Sequence, residues 1–318
     1  MFLVVTSLFI SNFKLYTEMK RLIISILAIL VGLFVIDRLG GTLMWWVNQH
    51  TRDVSGPKMR YLVNDVHEDV LMMGTSRCNC HYVPSIISDS IGMSVYNAGI
   101  DGSYNIYSHY LILNHILAIH KPKLICLEVE FIDCVKQTDA FSSISFFAPY
   151  FGLNEKADSV FRLAGKYWKY RISHLYRYNA KAVSNIGGLV INRNVGGDNG
   201  YYPCPQPPHF PELFSIDMPI VVDSMKLGYI QRFVNLCKAN NIKLIFMISP
   251  MYAKIDADHY DVLKELARKN DIPLLDYHTA GLYLDHPEYF KDVNHLWDKG
   301  ARLYSSVFAS DIKKILNQ

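Results

Sequence analysis

Short apolar runs alternate with amphipathic segments along most of the chain. Five runs, at residues 70–73, 93–96, 124–129, 243–250 and 273–277, have the character of strands in a buried parallel sheet. Helices are predicted at residues 83–89, 104–120, 224–240, 258–270 and 298–316. The alternation predicts an α/β fold, a three-layer sandwich around a central parallel sheet of about five strands.

The chain begins with a different pattern, an uncharged apolar run over residues 22–36 that continues past Asp37 and Arg38 to Val47. Counted to Val47, the run exceeds the roughly 20 residues that a membrane span needs. It follows the basic residues Lys14, Lys20 and Arg21, and no Ala-x-Ala cleavage site comes after it. We therefore expect a retained single-pass anchor in the cytoplasmic (inner) membrane, with an extracytoplasmic, periplasmic body. A buried core helix is the alternative.

This reading divides the chain into four parts. Residues 1–21 form a cytoplasmic segment, residues 22–47 the transmembrane anchor, residues 48–66 a polar connector, and residues 67–318 one domain. Met19-Lys20-Arg21 is typical of the start of such an anchor, so we hypothesise that residues 1–18 are not native.

Residues 134–222 fit none of the regular alternation, and we interpret them as an insertion over the strand ends. A basic aromatic helix is predicted at 161–178, followed by a loop at 192–211 that is dense in Gly, Asn and Pro. The helix carries Lys166, Lys169, Arg171 and Arg177. A solvated helix face explains these charges better than contact with an anionic surface.

The composition of the chain argues against several classes of protein. A chain of 318 residues with 50% hydrophobic content can bury a large core. Its net charge is +3 with scattered Lys and Arg, so we expect no nucleic-acid partner. Six irregularly spaced cysteines do not form a disulfide framework, although one or two bridges remain open. Cys78-x-Cys80-His81 lacks a second ligand pair, so we expect no metal and no cofactor.

Candidate chemistry begins at Gly74-Thr75-Ser76, directly after the first predicted strand. Ligands of open α/β sheets collect at the carboxyl ends of the strands, and a serine placed there needs a base to become nucleophilic. A candidate base is His295, in the segment Asp292-Val293-Asn294-His295. This spacing lets the Asp292 carboxylate hold one imidazole nitrogen while the other nitrogen faces a serine. Gly-Thr-Ser is also ordinary turn and helix-cap sequence.

Taken together, these segments resemble the SGNH hydrolases, also called the GDSL esterase and lipase superfamily, over residues 67–318. The first family block is similar to Gly74-Thr75-Ser76, the second to the turn at residues 97–102, and the fifth to residues 292–295. The resemblance implies that Ser76 is the nucleophile, His295 the general base and then acid, and Asp292 the orienting carboxylate. It also implies an oxyanion hole formed by the backbone N–H groups of Ser76 and Gly102, with Gly99 as the second choice.

Two positions depart from the family pattern. Ile132 stands where the third block has an Asn side chain, and Thr75 replaces the Asp of the first block. Arg77 or Asn79 could supply the missing donor, or the oxyanion hole is weaker. The same two residues are predicted to bind substrate, with a structural salt bridge as the alternative for Arg77.

The resemblance implies a serine esterase or O-acyltransferase that works through an acyl-enzyme on envelope or extracellular carbohydrate esters. An anchor before such a domain is similar to proteins of alginate O-acetylation and teichoic acid D-alanylation, which implies an acylated glycan substrate and a membrane-bound acyltransferase partner. Hydrolysis and transfer share the covalent intermediate, so the sequence leaves both open. Two rivals remain: a non-catalytic binding or scaffold protein with the same fold, and, ranked last, a metal-dependent phosphoesterase.

Overall fold

A computed structural model describes residues 2–53, 55–102, 105–191, 197–216, 221–281 and 283–317, with the side chains of residues 2–13, 216 and 257 left out. Seven short strands organise this described part of the chain. The strands are β1 (Val70–Met73), β2 (Val95–Asn97), β3 (Leu124–Glu128), β4 (Phe214–Ile216), β5 (Lys243–Ile248), β6 (Ala253–Ile255) and β7 (Leu274–Asp276). Five of them form a parallel sheet in the order β2-β1-β3-β5-β7, while β4 and β6 pair separately. The predicted α/β fold with a five-stranded parallel sheet is confirmed.

Alternate residues of a strand point to opposite faces of the sheet, and helices cover both faces. In β1, Leu71 and Met73 join one buried cluster, and Val70 and Met72 join the other. The first cluster includes side chains of α2 (Gly56–Asn64), α5 (Ile106–Ile116), α9 (Ser224–Ala239) and α10 (Asp261–Asn270). The second includes those of α4 (Pro84–Ile91) and α11 (Asp298–Leu316). The sheet therefore lies between two helical layers.

The strand order places β1 between β2 and β3, so the chain leaves β1 in one direction and later returns on its other side. Such a switch point opens a crevice at the carboxyl ends of the strands, where α/β proteins bind ligands. The short helix α3 (Ser76–His81) begins there, three residues after β1 ends. The predicted nucleophile thus lies at the edge of the sheet that favours chemistry.

The connector and the insertion differ from the sequence-based expectation. Helix α2 lies within the predicted polar connector, and its Met59, Leu62 and Val63 are buried in the core. The single helix predicted at residues 161–178 is instead part of α6 (Glu155–Leu163), then α7 (Tyr167–Ile172), then a 3-10 turn, Leu175–Tyr178. Gly165 interrupts the run with a φ of 66°, a left-handed conformation that favours glycine and ends a helix.

The insertion also contains α8 (Ala182–Val190), and α1 (Phe2–His50) precedes the whole domain. Residues 14–50 of α1 are long and apolar enough to cross a membrane. Its apolar side chains between Leu22 and Ile36 are exposed, whereas Met44 and Val47 are buried against the insertion. One helix therefore provides both an exposed apolar segment and a docked segment.

Buried histidines make the fold sensitive to acid. Burial lowers the pKa of His109, His115 and His278 to about 4, and neither ring nitrogen of His109 has a hydrogen-bond partner among the described residues. In the unfolded chain these histidines bind protons near pH 6.5. Between pH 6.5 and 4 these three histidines therefore bind more protons in the unfolded state than in the folded state, and their contribution to stability falls as the pH falls.

Burial raises the pKa of Asp133 to about 7 and of Asp158 to about 6, which acts in the opposite direction. We predict that the buried histidines lower the urea midpoint of the detergent-solubilised protein between pH 6.5 and pH 4.5. His109→Leu removes one of these groups, so the variant is expected to lose less stability over the same range. A variant with the pH dependence of the unmodified protein would contradict this origin of the acid sensitivity.

Candidate active site

Ser76, His295 and Asp292 meet at the carboxyl edge of the sheet. The His295 Nε2 atom lies 2.8 Å from Ser76 Oγ, although the two residues are 219 positions apart in the chain. The other ring nitrogen, Nδ1, lies 2.8 Å and 3.0 Å from the two carboxylate oxygens of Asp292. With Nδ1 protonated toward Asp292, Nε2 is free to accept the serine proton.

The local sequence explains how Ser76 reaches this position. A side chain at Gly74 would come within 2.6 Å of the Cβ atoms of both Cys78 and Glu128, so only glycine allows the turn between β1 and α3. Thr75 then donates a 2.5 Å hydrogen bond to Glu130, which follows β3. The turn is therefore held against the neighbouring strand, with Ser76 as the first residue of the helix.

The Asp292 carboxylate is held by its own loop. Its Oδ1 atom accepts 2.9 Å hydrogen bonds from the backbone N–H groups of Asn294 and His295. Burial acts to raise the pKa of Asp292, but the hydrogen bond and charge of His295 and these N–H donors outweigh it, so the pKa is lowered. The side chains of His295 and Asp292 are 21% and 44% exposed. The pair thus reaches the surface while the carboxylate stays ionised.

The predicted oxyanion donors are not equivalent. As the first residue of α3, Ser76 has an N–H group with no acceptor inside the helix. The Gly99 N–H already donates to Asn97 Oδ1 at 3.0 Å, and a side chain at Gly99 would lie 2.4 Å from the Asn79 nitrogen. Gly99 therefore serves close packing. Gly102 has a φ of 78°, and its oxyanion role stays a prediction because residues 103 and 104 lie outside the described residues.

Arg77, predicted to touch substrate, lies on the inner side of the site. Its side chain is only 2% exposed, with Nη2 3.2 Å from Glu128 and Nε 3.4 Å from Glu130. Burial favours the neutral guanidine, but Glu130 and Glu128 outweigh it and raise the pKa of Arg77. Arg77 therefore forms a structural salt bridge, the alternative that the sequence left open, and its side chain is not accessible to a substrate.

Asn79 is likewise built into the protein. Its amide donates to Asp101 Oδ1 at 2.9 Å, and its Oδ1 accepts a hydrogen bond from Lys58, which also donates to the Gly99 oxygen at 2.6 Å. Burial lowers the pKa of Lys58 to about 8, against the opposite effects of Cys78, Asp101 and Cys80. Lys58 joins α2 to the turn after β2. The sequence did not predict this role of Lys58, because a single lysine in a polar connector belongs to no recognisable motif.

Ile132 is the residue predicted to stand where the family pattern has an Asn side chain. It lies in a short 3-10 helix, Phe131–Asp133, and its backbone oxygen accepts a 2.8 Å hydrogen bond from Lys226. Its apolar side chain cannot donate to an oxyanion. If the centre stabilises an oxyanion, the donors come from elsewhere in the chain.

His81 is a second histidine of the site, which sequence reasoning considered only as a metal ligand. Its Nε2 accepts a 2.9 Å hydrogen bond from the N–H of Leu296, the residue after His295, and its Nδ1 lies 2.8 Å from Ser249 Oγ. Ser249 in turn donates to Glu128 at 2.6 Å. Burial and the nearby His295 hold the pKa of His81 well below its usual range. A neutral His81 therefore positions the backbone beside His295.

Comparisons with known proteins find similarity to solved structures at low sequence identity. No family model and no curated protein matches the chain. Similar solved structures include an acetyl xylan esterase, at 15% identity, with a TM-score of 0.41 and covering 78% of this chain and 100% of that one. Another is a GDSL-like lipase from Bacteroides thetaiotaomicron, at 15% identity, with a TM-score of 0.39, covering 82% and 96%.

The hydrogen bond from the Leu296 N–H to His81 predicts that His81 positions the loop of His295. His81→Ala removes the acceptor and frees this loop, and a displacement of about 1 Å costs on the order of 100-fold in rate. We expect fluorophosphonate labelling of Ser76 to slow by roughly that factor in His81→Ala. His81→Gln keeps an acceptor and should label faster than His81→Ala.

His115→Ala is the matched control, because His115 is equally buried and lies in α5. It should lower the unfolding midpoint without slowing the labelling of the folded protein. Equal labelling of His81→Ala and His115→Ala would contradict the positioning role.

Proposed function

We propose that the chain is a serine esterase or O-acyltransferase of the SGNH type, anchored in a membrane by α1. The observation that carries the proposal is the 2.8 Å contact between Ser76 Oγ and His295 Nε2, with Asp292 on the opposite ring nitrogen. Nucleophile, base and orienting carboxylate within hydrogen-bond distance are the requirements of nucleophilic acyl transfer. The three sequence motifs that resemble the SGNH hydrolases support the same chemistry.

In the first half-reaction Ser76 Oγ attacks the ester carbonyl carbon while its proton moves to His295 Nε2. The carbonyl oxygen becomes an oxyanion, for which the N–H of Ser76, at the first position of α3, is a candidate backbone donor. As the tetrahedral intermediate collapses, the bond to the alcohol oxygen breaks and His295 returns the proton to the leaving alcohol. Asp292 stabilises the imidazolium throughout. The product is an acyl-serine.

In the second half-reaction His295 removes a proton from water or from a sugar hydroxyl, which attacks the acyl-serine. The bond between the acyl carbon and Ser76 Oγ then breaks, and His295 returns the proton to Oγ. Water yields a free acid, and a sugar hydroxyl yields a new ester. The same atoms of the protein serve both outcomes. The acceptor therefore decides between esterase and acyltransferase.

We further propose that the domain lies outside the cytoplasmic membrane, acts on acylated glycans of the envelope, and works with a membrane-bound acyltransferase. The basic residues before α1 support this orientation through the positive-inside rule. The partly exposed His295 and Asp292 support a substrate that approaches from solvent rather than one enclosed in the core.

Ser76→Ala is predicted to abolish fluorophosphonate labelling and to reduce ester cleavage by the full-length protein to background. Asp292→Asn leaves the serine in place but loses the carboxylate that orients His295, and should lower kcat by roughly 10³- to 10⁴-fold. Ser306→Ala changes an exposed serine of α11 and serves as the control with normal labelling.

A non-catalytic role, suggested by Ile132, makes the opposite prediction. Ser76→Ala would then complement a deletion strain, and the unmodified protein would not react with fluorophosphonates. If Ser76 does react, incubation of the full-length protein with an acetyl donor and a glycan acceptor separates the two enzymatic options. Accumulated acetate indicates hydrolysis, and acetylated glycan indicates transfer.

A further inference from the structure

The junction between α1 and the insertion contains two charged residues of the anchor. The backbone N–H of His174 donates to Asp37 Oδ2 at 2.9 Å, and Ser173 and Leu175 donate to Oδ1. Arg38 donates from Nη2 to the Ile172 oxygen at 2.9 Å. A side chain at Gly41 would lie 2.5 Å from His174 Cβ, so the two backbones approach closely there. Residues 172–175 therefore lie at the same height along α1 as residues 37–41.

That height falls inside the expected membrane span. A hydrocarbon core of about 30 Å takes about 20 residues of helix at about 1.5 Å each. Counted from Leu22, which follows the basic pair Lys20-Arg21, the span ends near Gly41. Asp37 and Arg38 then lie about 5 Å inside the hydrocarbon boundary. Charged groups at membrane depth need protein partners, and the insertion provides them.

The insertion exposes an unusual group of large apolar side chains at this height. Ile172 is 70% exposed, Trp168 is 68% exposed, and Leu175 and Tyr176 are each 42% exposed. We name these four residues the apolar wedge. Lys169 and Arg171 alternate with them in α7 and are also exposed. An apolar face bordered by basic residues and an aromatic ring is typical of protein segments at the boundary between acyl chains and anionic headgroups.

We propose that the apolar wedge lies in the leaflet of the bilayer on the domain side of the α1 span, with Lys169 and Arg171 at the phospholipid headgroups. The inference rests on the proposed anchoring by α1. The hydrogen bonds of Asp37 and Arg38 tie the insertion to α1, and the position of α1 in the bilayer therefore sets the depth of the apolar wedge. The domain is then fixed at the membrane at two points and cannot swing on a flexible tether. Its substrate must reach it at the membrane surface.

Tryptophan fluorescence tests the depth. The full-length protein is reconstituted into vesicles of phosphatidylcholine and phosphatidylglycerol, with and without acyl chains that carry bromine, which quenches nearby indoles. We expect Trp168→Phe to lower the quenched fraction of the emission. Trp297→Phe should raise it, because Trp297 donates to the Glu288 oxygen and precedes α11, on the other face of the sheet.

A charge in the wedge provides a second readout. Ile172→Glu should reduce the quenching that depends on Trp168. Val307→Glu is the matched control, because Val307 is an exposed apolar residue of α11, and should leave the quenching unchanged.

The outcomes separate this inference from the proposed anchoring. If alkaline carbonate extracts the unmodified protein from the vesicles, the anchoring by α1 fails. If the protein resists extraction but Trp168→Phe raises the quenched fraction as Trp297→Phe does, the wedge is not in lipid and the inference is overturned. The wedge would then be a surface for another protein.

An independent observation concerns two cysteines beside the site. The Sγ atoms of Cys80 and Cys204 are 2.9 Å apart, and both residues are buried. Cys80 lies in α3, while the backbone oxygen of Cys204 accepts a 2.9 Å hydrogen bond from Asp298, at the start of α11. The pair therefore connects the helix of Ser76 with the segment that follows His295.

We infer that Cys80 and Cys204 form a disulfide in an oxidising compartment. The two thiols together lose two protons and two electrons, and the disulfide of a thiol–disulfide oxidoreductase accepts them and becomes a dithiol. Bond formation requires the sulfurs to approach by less than about 1 Å. Contact with Cys80 lowers the pKa of Cys204, as do Lys291 and His295, against the effect of burial. A lowered pKa favours the thiolate, which is the form that attacks a disulfide. The bond holds the loop around Cys204 against α3.

Peptide mapping tests the pair. The folded full-length protein is incubated with oxidised glutathione, denatured and alkylated. We expect Cys80 and Cys204 in one cross-linked peptide and Cys126, which is buried in β3, alkylated as a free thiol. Alkylation of both Cys80 and Cys204 would overturn the inference. Cross-linking in vitro together with free thiols in protein from the native membrane would instead contradict the proposed extracytoplasmic location.

Discussion

The candidate site depends on one hydrogen bond, from the backbone N–H of Leu296 to the ring of His81. Helix α3 carries Ser76 at its first residue and His81 at its last, so one short helix holds both the predicted nucleophile and the residue that anchors the histidine loop. Because Leu296 follows His295 directly, the position of the His295 imidazole is set by the same helix that presents Ser76. Two segments more than two hundred positions apart thus become one rigid unit.

Polar groups behind the site form a buried network that supports this arrangement. Glu128 is fully buried at the end of β3 and accepts hydrogen bonds from Ser249 and Tyr82. Burial raises the pKa of Glu128, although Arg77 and these donors act in the opposite direction. Such a buried charge is tolerated only when several partners compensate its desolvation. The network therefore links β3, α3 and the end of β5 at the edge where the site lies.

The two histidines of the site differ because their surroundings differ. His81 and His295 lie with ring centres 6.4 Å apart. His81 is buried, keeps one nitrogen as an acceptor and is held neutral, while His295 reaches the surface beside an ionised carboxylate. A charge on His81 would lie unscreened next to Arg77 and His295. One histidine is thereby suited to structure and the other to proton transfer.

The sequence by itself determined the parallel sheet and singled out the candidate triad residues, because apolar strands and short motifs at strand ends are local signals. Strand positions agreed to within a few residues, and Ser76, Asp292 and His295 were identified from motifs alone. Tertiary structure decided what no local pattern encodes. Arg77 and Asn79 follow the nucleophile in sequence, yet packing against Glu128 and Lys58 turns both inward. His81, Lys58 and the contact between Asp37 and residues 173–175 depend on distant segments, whose meeting only the folded chain specifies.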